Sequence, residues 1–295
     1  MGAVQAAEEE IITTLHLHDV KPTLPSIDRS TSLTDHDHHL NLEEVEEIIR
    51  YKFENKVLLQ EAFTHPSFVP AECSGSSYER LEYVGDAVLN LLFSREQYLL
   101  YPDLAPGPLT RLRAANVDTE KLARVAIKHG LHRYLRHRKP LLEEQIREFA
   151  RAIHEYPLHS NGLIDAPKNL ADIVESTIGA VFMDCNSIDI VWKVFKDLLE
   201  PIIDPKTIKR HPASQLHEVC QKNNLNLQFV DLWEEKHTVE VFINDQIVGR
   251  GTYSLKKEVA HNRAAKDALD NMWNVIGQKK DNVEDHLRDN GHWED

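Results

Sequence analysis

The chain has 295 residues, of which 41% are hydrophobic and 28% charged, with a formal net charge of -14 at pH 7. That length allows one large domain and one small one, and no apolar run approaches the roughly 18 residues that a membrane helix needs. The acidity excludes a uniformly basic, phosphate-coating surface, so any nucleic-acid contact has to come from local basic patches or from metal ions held by surplus carboxylates.

Residues 1–40 are polar and acidic and predict a disordered leader. The acidic start from Met1 to Glu10 has neither the apolar centre of a signal peptide nor the Arg-rich character of a transit peptide, so neither is expected. The run Asp35-His36-Asp37-His38-His39 reads as a solvated tail, with a metal site as the alternative. Cys73, Cys185 and Cys220 are scattered and odd in number, which predicts free thiols in a reducing compartment.

From Leu42 to about Ile203 the apolar residues recur at helical spacing. Helices are expected at about 42–49, at about 78–101 up to the stop at Pro102, and at about 109–136 with a break near Gly130. Others follow at about 141–155, 168–184 and 188–200, giving an all-α domain over 41–203. A polar linker, 204–211, leads to a helix at about 213–223. Three strands follow, at about 225–232, 238–243 and 247–255, with Asn244-Asp245 as a tight turn between the last two. A helix at about 256–273 completes an α-β-β-β-α unit over 212–276, and 277–295 read as a disordered acidic tail.

Two stretches carry the chemistry. On a helix through Glu79-Arg80-Leu81-Glu82-Tyr83-Val84-Gly85-Asp86, the acids Glu79, Glu82 and Asp86 share an arc of roughly 60°. That arc lies off an apolar stripe of Leu81, Val84, Val88, Leu91 and Leu92. In the second stretch Asp172 and Glu175 share a face, with Gly179 between them in projection and Val174, Ile178, Val181 and Phe182 turned to the core. Either acidic face alone fits a merely solvated helix. Together they say more, because Gly85 and Gly179 each sit beside the acids, and a helix-interior glycine costs ~1 kcal/mol relative to alanine. Two such glycines imply backbones in close approach where like charges gather. A divalent cation, which takes oxygen ligands, would relieve the repulsion.

The first of these stretches resembles the signature helix of the ribonuclease III family. Lys168-Asn169-Leu170-Ala171-Asp172-Ile173-Val174-Glu175 resembles its second catalytic helix, and Thr64-His65-Pro66-Ser67-Phe68 its Thr-His-x-Ser segment. The resemblance is nearest to plant ribonuclease III-like proteins and implies an all-α ribonuclease III catalytic domain. It further implies an endoribonuclease that cuts double-stranded RNA to 5′-phosphate and 3′-hydroxyl ends, with Mg2+ as cofactor, Mn2+ able to substitute, and no organic cofactor. It makes Glu82, Asp86, Asp172 and Glu175 the metal ligands, places Glu79 beside the site, and gives Lys168 a supporting role through phosphate contact. A homodimer would then cut both strands. Leu104-Ala105-Pro106-Gly107-Pro108-Leu109 departs from bacterial relatives, which carry a further acid there.

Pro212-Ala213-Ser214-Gln215-Leu216-His217-Glu218-Val219-Cys220-Gln221 resembles the start of a double-stranded-RNA-binding domain, and Gly249-x-Gly251, Lys256-Lys257 and Ala264-Ala265 continue the likeness. This implies RNA contacts at Gln215, Glu218, His237, Lys256, Lys257 and His261. One residue is inserted against the family's basic motif. With seven Lys/Arg against nine Asp/Glu over 212–273, the expected binding is weak and salt-sensitive. Lys128 to Pro140 holds five Lys/Arg, three histidines and no acid. A solvent-facing helix end, RNA backbone contact and a nuclear import signal all fit it. The competing functional class is a non-catalytic duplex-RNA binder. A third, a His-based phosphohydrolase, would need residues 36–39. The expected location is nucleus or cytoplasm.

Overall fold

The computed structural model describes residues 41–69 and 77–275. The leader, the Asp35–His39 run, Cys73 and the tail lie outside them. Helices α1 (Leu42–Ile49) and α2 (Lys56–Ala62) are each started by an asparagine cap. The Asn41 side chain accepts from the amide of Glu44 at 3.3 Å, and that of Asn55 from the amide of Val57 at 3.1 Å. Sequence periodicity missed α2, which is only two turns long. A 3-10 turn at Pro66–Phe68 precedes α3 (Glu79–Leu100), a 22-residue helix ended ahead of Pro102 as expected.

The predicted helix over 109–136 is three elements: α4 (Pro106–Asn116), α5 (Thr119–Lys128) and a 3-10 turn at Leu131–Tyr134. The additional break lies at Val117-Asp118. There Asp118 caps α5, its carboxylate accepting from the amides of Glu120 at 2.8 Å and Lys121 at 3.4 Å. A cap residue inside an otherwise helical pattern is ambiguous, because aspartate is also tolerated in exposed helix interiors. Helix α6 (Leu142–Ala152) and the central α7 (Lys168–Cys185) follow, then α8 (Ile188–Phe195). Helix α7 is buried on nearly every face and stops at Asn186, which takes a left-handed conformation with φ 48°.

Helices α3 and α7 form the centre of this layer. Leu81, Val88, Leu89 and Leu92 of α3 meet Ile173, Val174, Ile178 and Val181 of α7 within one core. The expected apolar stripe is corrected at one position. Leu91 is 52% exposed, because it turns away from α7 to the outer side of α3. The predicted close approach is present. A Cβ at Gly85 would overlap the carbonyl oxygen of Glu175, and one at Gly179 would overlap that of Leu81. Two backbones can touch this way only where neither carries a side chain.

The small unit comprises α9 (Pro212–Lys222), β1 (Leu227–Leu232), a single helical turn α10 (Trp233–Lys236), β2 (Thr238–Ile243), β3 (Gln246–Thr252) and α11 (Lys257–Val275). Its sheet is antiparallel in the order β1-β2-β3. Asn244 and Asp245 both take positive φ, 50° and 64°, as a two-residue hairpin turn requires. Val239, Val241 and Ile243 face Ala260, Ala264, Ala268 and Met272 of α11 in a separate core. Alternation along β2 makes that pattern, since every second side chain faces the helix. The unit packs on the large domain. The guanidinium Nε of Arg263 donates to the Leu163 carbonyl at 3.0 Å while the group lies over the Tyr253 ring. Among the described residues no helix is long and apolar enough to cross a membrane.

Candidate active site

The glycine crossing sets the site. Because α3 and α7 touch at Gly85 and Gly179, Glu82 one turn away on α3, and Glu175 and Asp172 one and two turns away on α7, are brought into one small volume. One carboxylate oxygen from each of these three lies within 4.8 Å of the others. They line an open cavity of about 510 Å3 together with Glu79, Tyr83, Asp86, Thr119, Lys168 and Ala171. Asp172 is buried at 3% exposure and Glu82 is half-buried.

Asp86 lines the same cavity but stands outside the close trio. Its Oδ1 accepts from Asn90 Nδ2 at 2.9 Å, which draws the carboxylate along its own helix. Glu79 sits exposed at the rim, where Ser77 Oγ donates to it at 3.0 Å. Lys168, one turn before Asp172, reaches across both helices and donates to Glu82 Oε1 at 2.6 Å and Asp172 Oδ1 at 2.5 Å. Its ammonium thus lies between carboxylates of opposite helices. Burial opposes its charge, but these two carboxylates outweigh that and hold its pKa above the usual lysine value.

Glu175 has no such partner. Burial, and then the Asp86, Asp172 and Glu82 carboxylates around it, push its pKa up to about 8. Concentrated negative charge that the protein neutralises only in part, presented by hard oxygen donors, fits a hard divalent cation. Glu82, Asp172 and Glu175 are placed to hold it, with Asp86 one turn away.

Sequence reasoning missed two residues beneath the trio. Tyr78, 3% exposed, donates its hydroxyl to Asp172 Oδ2 at 2.9 Å, and Asn169 Nδ2 donates to that hydroxyl at 2.8 Å. Tyr78 immediately precedes the signature helix, and its spacing to Asp172 is 94 residues, so no local pattern links them.

Only the first part of the basic segment is a helix end: Lys128 closes α5 and a 3-10 turn follows at Leu131–Tyr134. After the 3-10 turn it runs extended beside Thr64–Phe68: Arg136 N donates to the Phe63 carbonyl and His65 N to the Arg136 carbonyl, both at 2.9 Å. Arg136 and Arg138 stack on Phe68, with guanidinium carbons 5.1 and 5.3 Å from the ring centre. Lys139 reaches inward to Asn169 Oδ1 at 3.0 Å.

In the small unit the residues expected to meet RNA lie on several elements. Gln215 and Glu218 lie half-buried on α9, with Glu218 paired to Arg210. His237 stands in the corner between α10 and β2, edge-on to Trp233. His261 stacks on Phe229, ring centres 4.0 Å apart. Lys256 lies 3.6 Å from Asp165 of the large domain, and Lys257 is paired with Asp231. Both lysines therefore already face acids.

The chain matches the Ribonuclease III domain over residues 79–186 and the double-stranded RNA binding motif over 212–272. It is 53% identical to a ribonuclease 3-like protein 3 of Oryza sativa subsp. japonica over 238 residues, covering 80% of each chain. Identity to an Arabidopsis thaliana ribonuclease 3-like protein 2 is 38% over 88% of this chain and 65% of that one. Over 76% of this chain it is 45% identical to the Arabidopsis thaliana endoribonuclease Dicer homolog 1, of which it spans only 12%. With two carboxylate-bearing helices crossed at their glycines and a double-stranded-RNA-binding motif behind them, the chain belongs to the ribonuclease III family and is a ribonuclease III-type endoribonuclease for double-stranded RNA.

Proposed function

We propose that the enzyme hydrolyses double-stranded RNA with a divalent cation, Mg2+ or Mn2+, held by Glu82, Asp172 and Glu175 with Asp86 closing the set, and leaves 5′-phosphate and 3′-hydroxyl ends. The observation that carries this reading is the meeting of three carboxylates from two helices within 4.8 Å. Such a cation supplies an activated water and offsets charge as the phosphodiester is attacked. The protein's own groups do the positioning. Asp172 and Glu82 are fixed by Lys168, which would be released toward a scissile phosphate if a cation were held by those carboxylates. Glu175, whose pKa burial and its carboxylate neighbours raise, would have to lose its proton to hold the cation.

Homodimerisation would bring a second site to the opposite strand. One face of α3 supports it: Leu91 and Tyr98, two turns apart, are 52% and 74% exposed. We place the enzyme in the nucleus or the cytoplasm, which a fluorescent fusion would read.

Cleavage of a long RNA duplex with end-sequencing of the products tests the proposal. Wild type should cut with Mg2+ or Mn2+ and not with chelator, while Glu82→Ala and Asp86→Ala should lose cleavage and keep duplex binding. Retained cleavage in both variants, or metal-independent cutting, would refute it. A wild-type protein that binds duplex without cutting would be a binder.

A further inference from the structure

Asp172 is held at both ends, by different devices. Lys168 takes Oδ1 on the cavity side, and the buried hydroxyl of Tyr78 takes Oδ2 on the core side. Behind Tyr78 stands Asn169, and behind Asn169 the basic segment: Lys139 Nζ donates to Asn169 Oδ1 at 3.0 Å, and Asn169 Nδ2 donates to the phenol oxygen at 2.8 Å. The direction of this chain follows from its outermost member. An ammonium can only donate, so the amide must turn its oxygen outward and its nitrogen to Tyr78. The phenol oxygen is then filled by an incoming donor, and its own proton is left for Asp172.

Tyr78 is itself locked. Its amide donates to the Thr64 carbonyl at 2.9 Å, and its ring packs edge-on to His65, 5.6 Å between centres. Tyr78 and Asn169 are buried, at 3% and 8% exposure, whereas Lys139 is exposed.

We propose that Tyr78 and Asn169 are positioning residues that hold Asp172 Oδ2 in the core so that Oδ1 alone is presented to the cation, with Lys139 setting the polarity of the chain. Neither touches the reacting atoms; both act through Asp172. The inference rests on the divalent-metal reading above. Groups that orient a metal's ligands are commonly worth about 10–100-fold in affinity when removed.

The test uses the full chain. Binding of Mn2+ in the absence of RNA is measured by calorimetry for wild type and for Asp172→Asn, Tyr78→Phe, Asn169→Ala and Lys139→Met. Cleavage is measured across a range of Mn2+ concentrations, and duplex affinity in chelator. Tyr78→Phe and Asn169→Ala are each expected to weaken Mn2+ binding about 10-fold or more. Their cleavage should recover toward the wild-type rate at saturating Mn2+, with duplex affinity in chelator unchanged. Lys139→Met, at an exposed position where folding is safe, should move Mn2+ affinity in the same direction and keeps the test open if the buried variants fail to fold.

A rate depressed equally at every Mn2+ concentration, or Mn2+ binding unchanged in Lys139→Met and in whichever buried variants fold, would overturn the inference. If Asp172→Asn weakens Mn2+ binding while Tyr78→Phe does not, the metal reading stands and this one falls. If Asp172→Asn has no effect on Mn2+ binding, both fall.

Discussion

Substituting Gly85 by alanine sets two effects of opposite sign against each other. Helix propensity alone favours alanine in the interior of α3 by ~1 kcal/mol. Contact geometry opposes it, because the new Cβ would overlap the backbone carbonyl of Glu175 and no side chain can swing aside to make room. Overpacking of this kind typically costs about 1–3 kcal/mol, and a backbone obstacle places it at the upper end. Net destabilisation should be about 2 kcal/mol, or roughly a 4–8 °C fall in Tm for a domain of this size. The lesion also parts the helices that carry Glu82 and Glu175, and a misplacement of about 1 Å at a catalytic centre can cost about 100-fold in rate. Thermal unfolding with and without Mn2+, alongside duplex cleavage, measures both. Gly107→Ala is the control: apart from its chain neighbours, the nearest atom to the new Cβ is Arg111 Nη1 at 3.8 Å, so no crossing backbone opposes the substitution, and the restriction on a residue before Pro108 offsets its helix-propensity gain. If Gly85→Ala left Tm no lower than Gly107→Ala does, and cleavage persisted, the crossing would not be what assembles the site.

Glu175 makes metal binding pH-dependent. Its folded pKa of about 8 lies above the ordinary 4.5, so its contribution to metal-free stability is present below pH 4.5 and lost as pH rises through 8. A cation binding at pH 7 must displace that proton. Mn2+ affinity should therefore climb up to about pH 8 with proton release, and calorimetry in buffers of different ionisation enthalpy would show none if the reasoning is wrong. Lys168→Met removes the ammonium that bridges Glu82 and Asp172, so Mn2+ should raise the variant's Tm by more than it raises that of wild type, while cleavage falls. Equal Tm shifts would contradict the bridging role. Arg263→Ala removes the hydrogen bond to the Leu163 carbonyl and should speed protease cutting in the 204–211 linker, with cleavage of unchanged rate refuting a docked second domain.

Much of this was legible in the chain itself. The acids on two helices could be read from spacing, and so could the reason for Gly85 and Gly179, because helical periodicity places residues around an axis without knowledge of partners. The Asn244-Asp245 turn and the stop at Pro102 were legible for the same reason, being local backbone chemistry. What periodicity could not deliver was anything that depends on which helix lies opposite. Asp118 reads as a cap only once α4 has turned away, and Leu91 reads as exposed only once α7 is known to cover the other side. Tyr78 and Asp172 are 94 residues apart, and Lys256 meets Asp165 across a domain boundary. Local sequence determined the identity and facing of the acids, since one helix turn is enough to specify them. Tertiary packing alone decided which acids meet, which stays one turn apart, and which buried hydroxyl holds Asp172, because those distances are set by the contact between two helices.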